Sequence, residues 1–246
     1  MTSWKTRLIA SVLFATAFGY VEAAVVVYLR AVYQPIRLQL HPGISAHDLL
    51  PAITLDQLRA RGWEVERQLY VELGRELATL VMLASVAWGM CRSRREWFAF
   101  FALMFAVWDI FYYVFLRLAI GWPATLFDWD ILFLLPVIWT GPVIAPVLVS
   151  CGLVFGSLWA IIREGRGCPL RLSLWCWLGM IVAGVVVIVS FCLDWRNIQA
   201  GGVPNPFRWD MFFAGLLGGL AIFLLGVFRE RKRTRCVPPS FATPEG

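Results

Sequence analysis

Six apolar segments, each about as long as a bilayer is thick, constrain this chain more than any other feature. A helix rises about 1.5 Å per residue, so about 20 apolar residues cross a hydrocarbon core about 30 Å thick. The segments that meet this length are residues 8–29, 69–90, 97–119, 141–162, 172–193 and 211–228. Because a helix satisfies its own backbone hydrogen bonds inside lipid, they predict an all-α polytopic membrane bundle of about six transmembrane helices.

The composition of the 246 residues points to lipid as the main solvent. Hydrophobic residues make up 60% of the chain and charged residues 15%, and the mean hydropathy is +0.71. A protein surrounded by water cannot hide that much apolar surface. With only 2 histidines, the chain has little material for a histidine-ligated metal or haem, and we expect no cofactor.

Basic residues are concentrated on one side of the predicted bundle. They occupy the connections after the second and fourth segments and both ends of the chain, at Lys5, Arg7, Arg92, Arg94, Arg95, Arg163, Arg166, Arg171, Arg229, Arg231, Lys232, Arg233 and Arg235. Loops rich in Lys and Arg stay in the cytoplasm. The pattern therefore predicts a multi-pass protein of the cell (inner) membrane with both termini cytoplasmic. Membrane orientation accounts for the net charge of +6, so we predict no nucleic-acid partner.

The same topology gives one transmembrane domain, residues 1–230, followed by a basic, disordered cytoplasmic tail at residues 231–246. The six cysteines form no Cys-x-x-Cys pair, so we expect no disulfide framework. Cys91, Cys168 and Cys236 fall on the cytoplasmic side, where thiols stay reduced.

The outer connection from residue 30 to residue 68 shows two capping-box patterns, Ser45 to Asp48 and Thr54 to Gln57. Such a pattern satisfies free amides at a helix start. We therefore expect short interfacial helices here, packed as a lid on the outer face of the spans.

An uncharged run from Ile131 to Ile162 is too long for one upright span. Pro136, Gly141, Pro142 and Pro146 lie inside it, and proline removes a backbone donor. We expect a broken segment before the fourth span, consisting of a short outer helix and then a span that begins near Gly141.

Two outer connections resemble each other. Phe127-Asp128-Trp129-Asp130 precedes the fourth span, and Phe207-Arg208-Trp209-Asp210 precedes the sixth. The echo suggests a duplicated helical hairpin. We interpret Asp130 and Asp210 as structural caps at helix starts, because a carboxylate there accepts hydrogen bonds from free amides.

Ionisable residues inside the predicted spans mark the candidate site. An ionisable group in the membrane is costly and commonly faces the bundle interior. The ligand- or ion-binding candidates are Glu22, Glu72, Arg75, Glu76, Asp109, Tyr112, Tyr113 and Arg117. All lie in the outer half of the bundle, and they predict an acidic pocket opening outward beneath the 30–68 connection. The alternative is that these residues pair only to hold the helices in register.

His41 and His47 lie in the outer connection beside Asp48. They would bind a transition metal if the loop folded over the pocket, whereas a solvated loop needs no metal. The solvated loop is the favoured interpretation, because two histidines in a long loop are more commonly exposed to water than bound to a metal.

Three functions fit these patterns. The first is binding or transport of a proton, a cation or a small polar solute through the acidic pocket. The second is a non-catalytic assembly subunit whose partners are the lipid bilayer and other membrane subunits. The third is a membrane enzyme acting on a lipid-like substrate with paired carboxylates, but the chain contains no phosphate-binding loop and no His-Glu-x-x-His helix.

Overall fold

A bundle of long helices forms the protein. The computed structural model describes residues 3–45, 48–168 and 170–231. In chain order the elements are α1 (Trp4–Leu40), α2 (Leu55–Arg59), α3 (Trp63–Met90), α4 (Arg94–Ile120), β1 (Trp129–Phe133), β2 (Trp139–Pro142), α5 (Ile144–Gly165), α6 (Leu174–Cys192), α7 (Trp195–Gln199) and α8 (Trp209–Arg231). Each predicted apolar segment coincides with a long helix, so the helical membrane class is confirmed.

Five helical segments within the described residues are long and apolar enough to cross a membrane. They are α1, α4, α5, α6 together with α7, and α8. Helix α3 has 28 residues but is not among the five. It contains Glu72, Arg75 and Glu76, which lower its mean hydropathy.

Helices α1 and α4 approach closely along a stripe of small residues. Ser11, Ala15, Gly19 and Ala23 recur every four residues of α1 and are buried. A Cβ atom at Gly19 would lie 3.0 Å from the backbone oxygen of Trp108. Because lipid provides no hydrophobic drive between helices, such close backbone contact is a main source of their association.

Helices α6 and α8 form a second closely packed unit. A Cβ atom at Gly215 would lie 2.9 Å from the backbone oxygen of Ala183 and 2.8 Å from Cγ2 of Val187. The core of this unit includes Phe191 and Phe212, packed with Ala145 of α5. This helical hairpin of α6 and α8 contacts the remaining bundle mainly through α5 and β2.

The helix ends that carry the basic residues meet at one end of the bundle. The contacts that join them are Arg7 to Glu96 at 2.6 Å, Ser93 to Glu164 at 3.4 Å and Arg163 to Glu230 at 3.3 Å. They connect the beginnings of α1 and α4 with the ends of α5 and α8. The clustering that the charge pattern predicted is therefore present in three dimensions.

The segment before α5 folds as a β-hairpin and not as the predicted short helix. Strand β1 pairs antiparallel with β2, with Asp130 opposite Gly141 and Trp129 opposite Pro142. Helix α5 then begins at Ile144, three residues after the predicted position. The prolines stop a helix as expected, but the hairpin satisfies the backbone hydrogen bonds instead.

The repeated Phe-x-Trp-Asp sequence adopts two different conformations. Asp130 lies in a strand and is buried, so its prediction as a helix cap is wrong. Asp210 lies in the first turn of α8, where its charge complements the helix dipole, and pairs with Arg208 at 2.7 Å. The two aspartates differ in their partners. Asp130 accepts a hydrogen bond from the hydroxyl of Tyr113 at 2.9 Å, and this contact holds it in the strand.

One of the two predicted capping boxes forms in the outer connection. The backbone amide of Thr54 donates to the side chain of Gln57 at 2.8 Å, and the Gln57 amide donates to the Thr54 hydroxyl at 3.2 Å. Helix α2 follows directly. After Ser45 the prediction is wrong, because residues 48–53 are not helical.

Cys168 is disulfide-bonded, which corrects the expectation that the cysteines of the basic side are all reduced. Cys91, Cys151, Cys176 and Cys192 are free. The predicted tail falls outside the described residues, apart from Arg231 at the end of α8.

Replacing Gly19 with leucine should weaken the bundle. The added side chain would force α1 away from the Trp108 backbone, and overpacking of this kind costs about 1–3 kcal/mol. We expect a lower thermal unfolding midpoint in mild detergent. Gly89→Leu is the matched control, since a Cβ atom there meets nothing within 4 Å. Equal midpoints for the two variants would contradict the proposed role of the stripe.

Candidate functional site

A large cavity extends through the bundle between its two packed units. Its volume is about 1320 Å³, and residues of α1, α3, α4, α5, α6 and α8 line it. Voids larger than a water molecule are few in protein interiors, so this volume is not a packing defect. Glu22, Arg75 and Asp109 line one end, called the polar end below, and α5, α6 and α8 contribute a mainly apolar wall. Arg95, Glu96 and Glu164 also line the cavity, near the basic helix ends.

Glu22, Arg75 and Glu72 form an ion-pair network at the polar end. Arg75 pairs with Glu22 of α1 and with Glu72 one turn away on α3. Its Nε also donates to Glu72 Oε2 at 2.9 Å. The hydroxyl of Thr79 lies 3.4 Å from Glu22 Oε2, and Glu22 is 6% exposed. The network therefore joins α1 to α3 and brings two of the predicted carboxylates together with Arg75.

Glu76 is held by backbone and not by another charge. Both of its carboxylate oxygens accept from the amide of Leu134 at 3.0 Å. Leu134 directly follows strand β1, so Glu76 connects α3 to the β-hairpin. This contact explains how a side chain on α3 can be buried without facing an arginine directly.

Asp109 lies on the cavity wall between α4 and α5. The hydroxyl of Ser150 donates to Asp109 Oδ2 at 2.8 Å, and both residues line the cavity. A single neutral donor leaves most of the hydrogen-bonding capacity of a carboxylate available.

Tyr113 of α4 links that helix to the β-hairpin. Tyr113 donates to Asp130 Oδ2 at 2.9 Å, and the amide of Ile131 donates to Asp130 Oδ1 at 2.9 Å. Burial raises the pKa of Asp130 to about 6, while the nearby Arg30 and these two hydrogen bonds act to lower it. Tyr112 packs against Tyr113 with ring centroids 4.9 Å apart and also lines the cavity.

Arg117 does not join this group. Its Nη1 donates to the backbone oxygens of Gly121 at 2.5 Å and Pro123 at 2.9 Å. It is exposed and is not a cavity residue. The prediction that Arg117 belongs to the site is therefore wrong, because the end of its own helix supplies closer acceptors.

The structure gives no support to a metal site in the described part of the chain. Residues 3–45, 48–168 and 170–231 contain no group of three or more His, Cys, Asp or Glu side chains that could hold a metal ion. His41 is the C-cap residue of α1. His47 lies outside the described residues.

Two arginines that the sequence did not single out as candidates also line the cavity. Arg30 stacks on Trp122, with its guanidinium carbon 3.8 Å from the ring centroid. Arg37 lies two turns further along α1 and is buried. Their seven-residue spacing places both arginines on one helix face, and this pattern in the sequence could have identified them as a pair.

Comparisons with known proteins do not identify this arrangement. No protein-family model matches the chain, and searches of curated proteins and of solved structures found no significant match. The function must therefore be argued from the site itself.

A double-mutant cycle on Glu22 and Arg75 should reveal strong coupling. Each single change to glutamine leaves a buried charge with fewer partners, whereas the double change removes both charges. We expect a coupling energy of about 0.5–3 kcal/mol from thermal unfolding in detergent.

The exposed pair Glu64 and Arg67, whose side chains are 75% and 58% exposed, provides the control cycle. Its coupling should be near zero because water screens the charges. Additive effects in the Glu22 and Arg75 cycle would show that the pair does not hold α1 to α3.

Proposed function

We propose that this protein binds an amphiphilic solute within the membrane, with the polar part of the solute at the outer end of the cavity and the apolar part along α5, α6 and α8. This refines the first function derived from the sequence, binding or transport of a small polar solute. The proposal now gives the solute an apolar body in addition to its polar part.

The observation that carries the proposal is that polar and apolar residues line the same cavity. Glu22, Arg75 and Asp109 line its polar end, and Val149, Leu216 and Phe223 are among the apolar residues that line its remaining length. Apolar cavities bind apolar molecules, and a few convergent polar groups fix their orientation. A volume of about 1320 Å³ is far larger than a proton or a cation requires.

A proton or cation carrier is the second candidate, and Asp109 is the observation that favours it. This carboxylate has Ser150 as its hydrogen-bonding partner, whereas Glu22 and Glu72 pair with Arg75. Carboxylates bind hard cations and protons. The assembly subunit and the lipid-modifying enzyme stay predictions, because no contact described above favours either.

The orientation that we propose has six crossings with both termini in the cytoplasm of an inner-membrane protein. Helix α3 then supplies the sixth crossing, and its charges at Glu72, Arg75 and Glu76 are accommodated because they face partners in the bundle. The basic helix ends support this orientation by the positive-inside rule. The polar end of the cavity would then open to the outer side.

Reporter fusions test the orientation. Alkaline phosphatase fused after Gly62 or Gly121 should be active, and phosphatase fused after Arg92 or Gly167 should be inactive. Fluorescent-protein fusions at the same positions should give the inverse pattern. Activity after both Gly62 and Arg92 would mean that α3 does not cross the membrane.

Filling the cavity should abolish amphiphile binding. A Cβ atom at Gly152 meets nothing within 4 Å, and Gly152 lines the cavity. Gly152→Phe therefore adds a ring to the cavity without a backbone clash. We expect native mass spectrometry of the purified protein to show bound twelve-carbon amphiphiles in the wild type and at least about tenfold fewer in the variant, a change of about 1.4 kcal/mol.

Gly89→Phe is the matched control, because Gly89 is exposed on α3, lies outside the cavity lining and offers equal space. Amphiphile occupancy in this control should equal that of the wild type. Equal occupancy in wild type and Gly152→Phe would refute the proposed function.

A further inference from the structure

We infer that Arg30 and Arg37 form a binding site for an oxyanion, a phosphate or carboxylate group, at the outer end of the cavity. The inference rests on the proposed function and deepens it, because it assigns a charge to the polar part of the bound amphiphile. The two arginines are not explained by the ion pairs described above.

Arg30 has a fixed position and donors that are not used. Its guanidinium stacks on Trp122 at 3.8 Å, and Trp122 is 1% exposed. Its Nε and Nη2 atoms are buried, and no residue in the described ranges accepts a hydrogen bond from them. Stacking holds the plane of the guanidinium while leaving its edge available, which is the geometry that arginine uses to bind oxyanions.

Arg37 presents a second donor on the same face of α1. Its Nη2 donates to the backbone oxygen of Ser45 at 3.2 Å, so the side chain is anchored at one nitrogen. Its Nη1 is buried and has no acceptor within the described part of the chain. Arg30 and Arg37 both line the cavity and lie about 10 Å apart along the helix axis.

Four carboxylates near the polar end are already engaged elsewhere, whereas Asp109 accepts a hydrogen bond from Ser150. Glu22 and Glu72 pair with Arg75, and Glu76 binds the Leu134 amide. Asp130 accepts from Tyr113 and from the Ile131 amide. It is close enough to Arg30 for their charges to interact, but among the described residues the two form no ion pair within 4.0 Å. A buried charge is costly without a partner, and an oxyanion in the cavity would supply one to both arginines.

Two indole donors line other parts of the same cavity. Nε1 of Trp108 and Nε1 of Trp139 are buried, and neither has an acceptor among the described residues. Both tryptophans line the cavity. A cavity lined by unused donors favours a ligand with several acceptor oxygens over a quaternary ammonium ligand, which has no oxygen to accept these hydrogens.

Binding of amphiphiles with one chain length and different head groups tests the inference. Isothermal titration of the purified full chain in a neutral maltoside detergent would use dodecyl phosphate, dodecyltrimethylammonium and inorganic phosphate. We expect dodecyl phosphate to bind at least about tenfold tighter than dodecyltrimethylammonium, the ratio that charge-assisted hydrogen bonds typically give. Inorganic phosphate shows whether the site binds a free anion or requires an oxyanion attached to an alkyl chain, as in a lipid.

The variants Arg30→Gln and Arg37→Gln should each lose about tenfold in affinity for dodecyl phosphate and keep their affinity for dodecyltrimethylammonium. Arg67→Gln is the matched control, because Arg67 is an exposed outer arginine that does not line the cavity, and it should bind all three probes as the wild type does. Arg30→Lys should fall between wild type and Arg30→Gln, because lysine restores the charge without the planar fork.

The outcomes of these titrations test the oxyanion site separately from amphiphile binding. Arginine-dependent binding of inorganic phosphate alone would support the oxyanion site with a free anion as its source. Equal wild-type affinity for both dodecyl probes would overturn the inference while leaving amphiphile binding intact, and this comparison does not require any variant to fold. If Gly152→Phe binds dodecyl phosphate as the wild type does, the cavity itself is not the binding site and both proposals fail.

Discussion

Charges buried in a membrane protein need partners inside the protein, because hydrocarbon offers them none, and this constraint shapes the outer half of the bundle. Glu22, Glu72 and Arg75 meet it by pairing with one another. That pairing depends on where α1 lies, which the small residues around Gly19 fix by letting α1 approach α4 closely. Packing and electrostatics are therefore coupled, since a displacement of α1 would separate Glu22 from its cation on α3.

The uneven distribution of polar groups follows from the division of the bundle into two units. Helices α1, α3 and α4 contribute the ionisable groups of the outer site, whereas the hairpin of α6 and α8 presents apolar residues to the cavity. The hairpin packs tightly on itself through Gly215 and meets the other helices mainly through α5 and β2. A cavity formed between such units combines ionisable groups with a mainly apolar wall, which is the property that an amphiphile requires.

Much of the fold could be predicted from the sequence because bilayer thickness fixes helix length, and long apolar runs reveal it without any knowledge of tertiary contacts. The convergence of Glu22 with Glu72 and Arg75 was also predictable, since polar residues inside a span face the bundle. The β-hairpin was not, because it depends on pairing between residues 129–133 and 139–142 and on the distant Tyr113 hydroxyl. The local capping pattern at Asp130 could not reveal that non-local partners would place it in a strand instead of a helix.

The role of Arg30 shows most clearly what the sequence could not supply. The sequence places Arg30 on the side of the predicted pocket, directly after the first predicted segment ends at residue 29, but it does not show what Arg30 contacts. In the structure α1 continues to Leu40, so Arg30 and Arg37 remain against the bundle, and Trp122 holds Arg30 in place. The carboxylates that suggested an acidic pocket are largely neutralised or hydrogen-bonded by their neighbours, while these two cations keep unused donors. The oxyanion site that we infer at Arg30 and Arg37 would therefore add a positively charged region beside the predicted acidic pocket, in which Asp109 keeps Ser150 as its hydrogen-bonding partner.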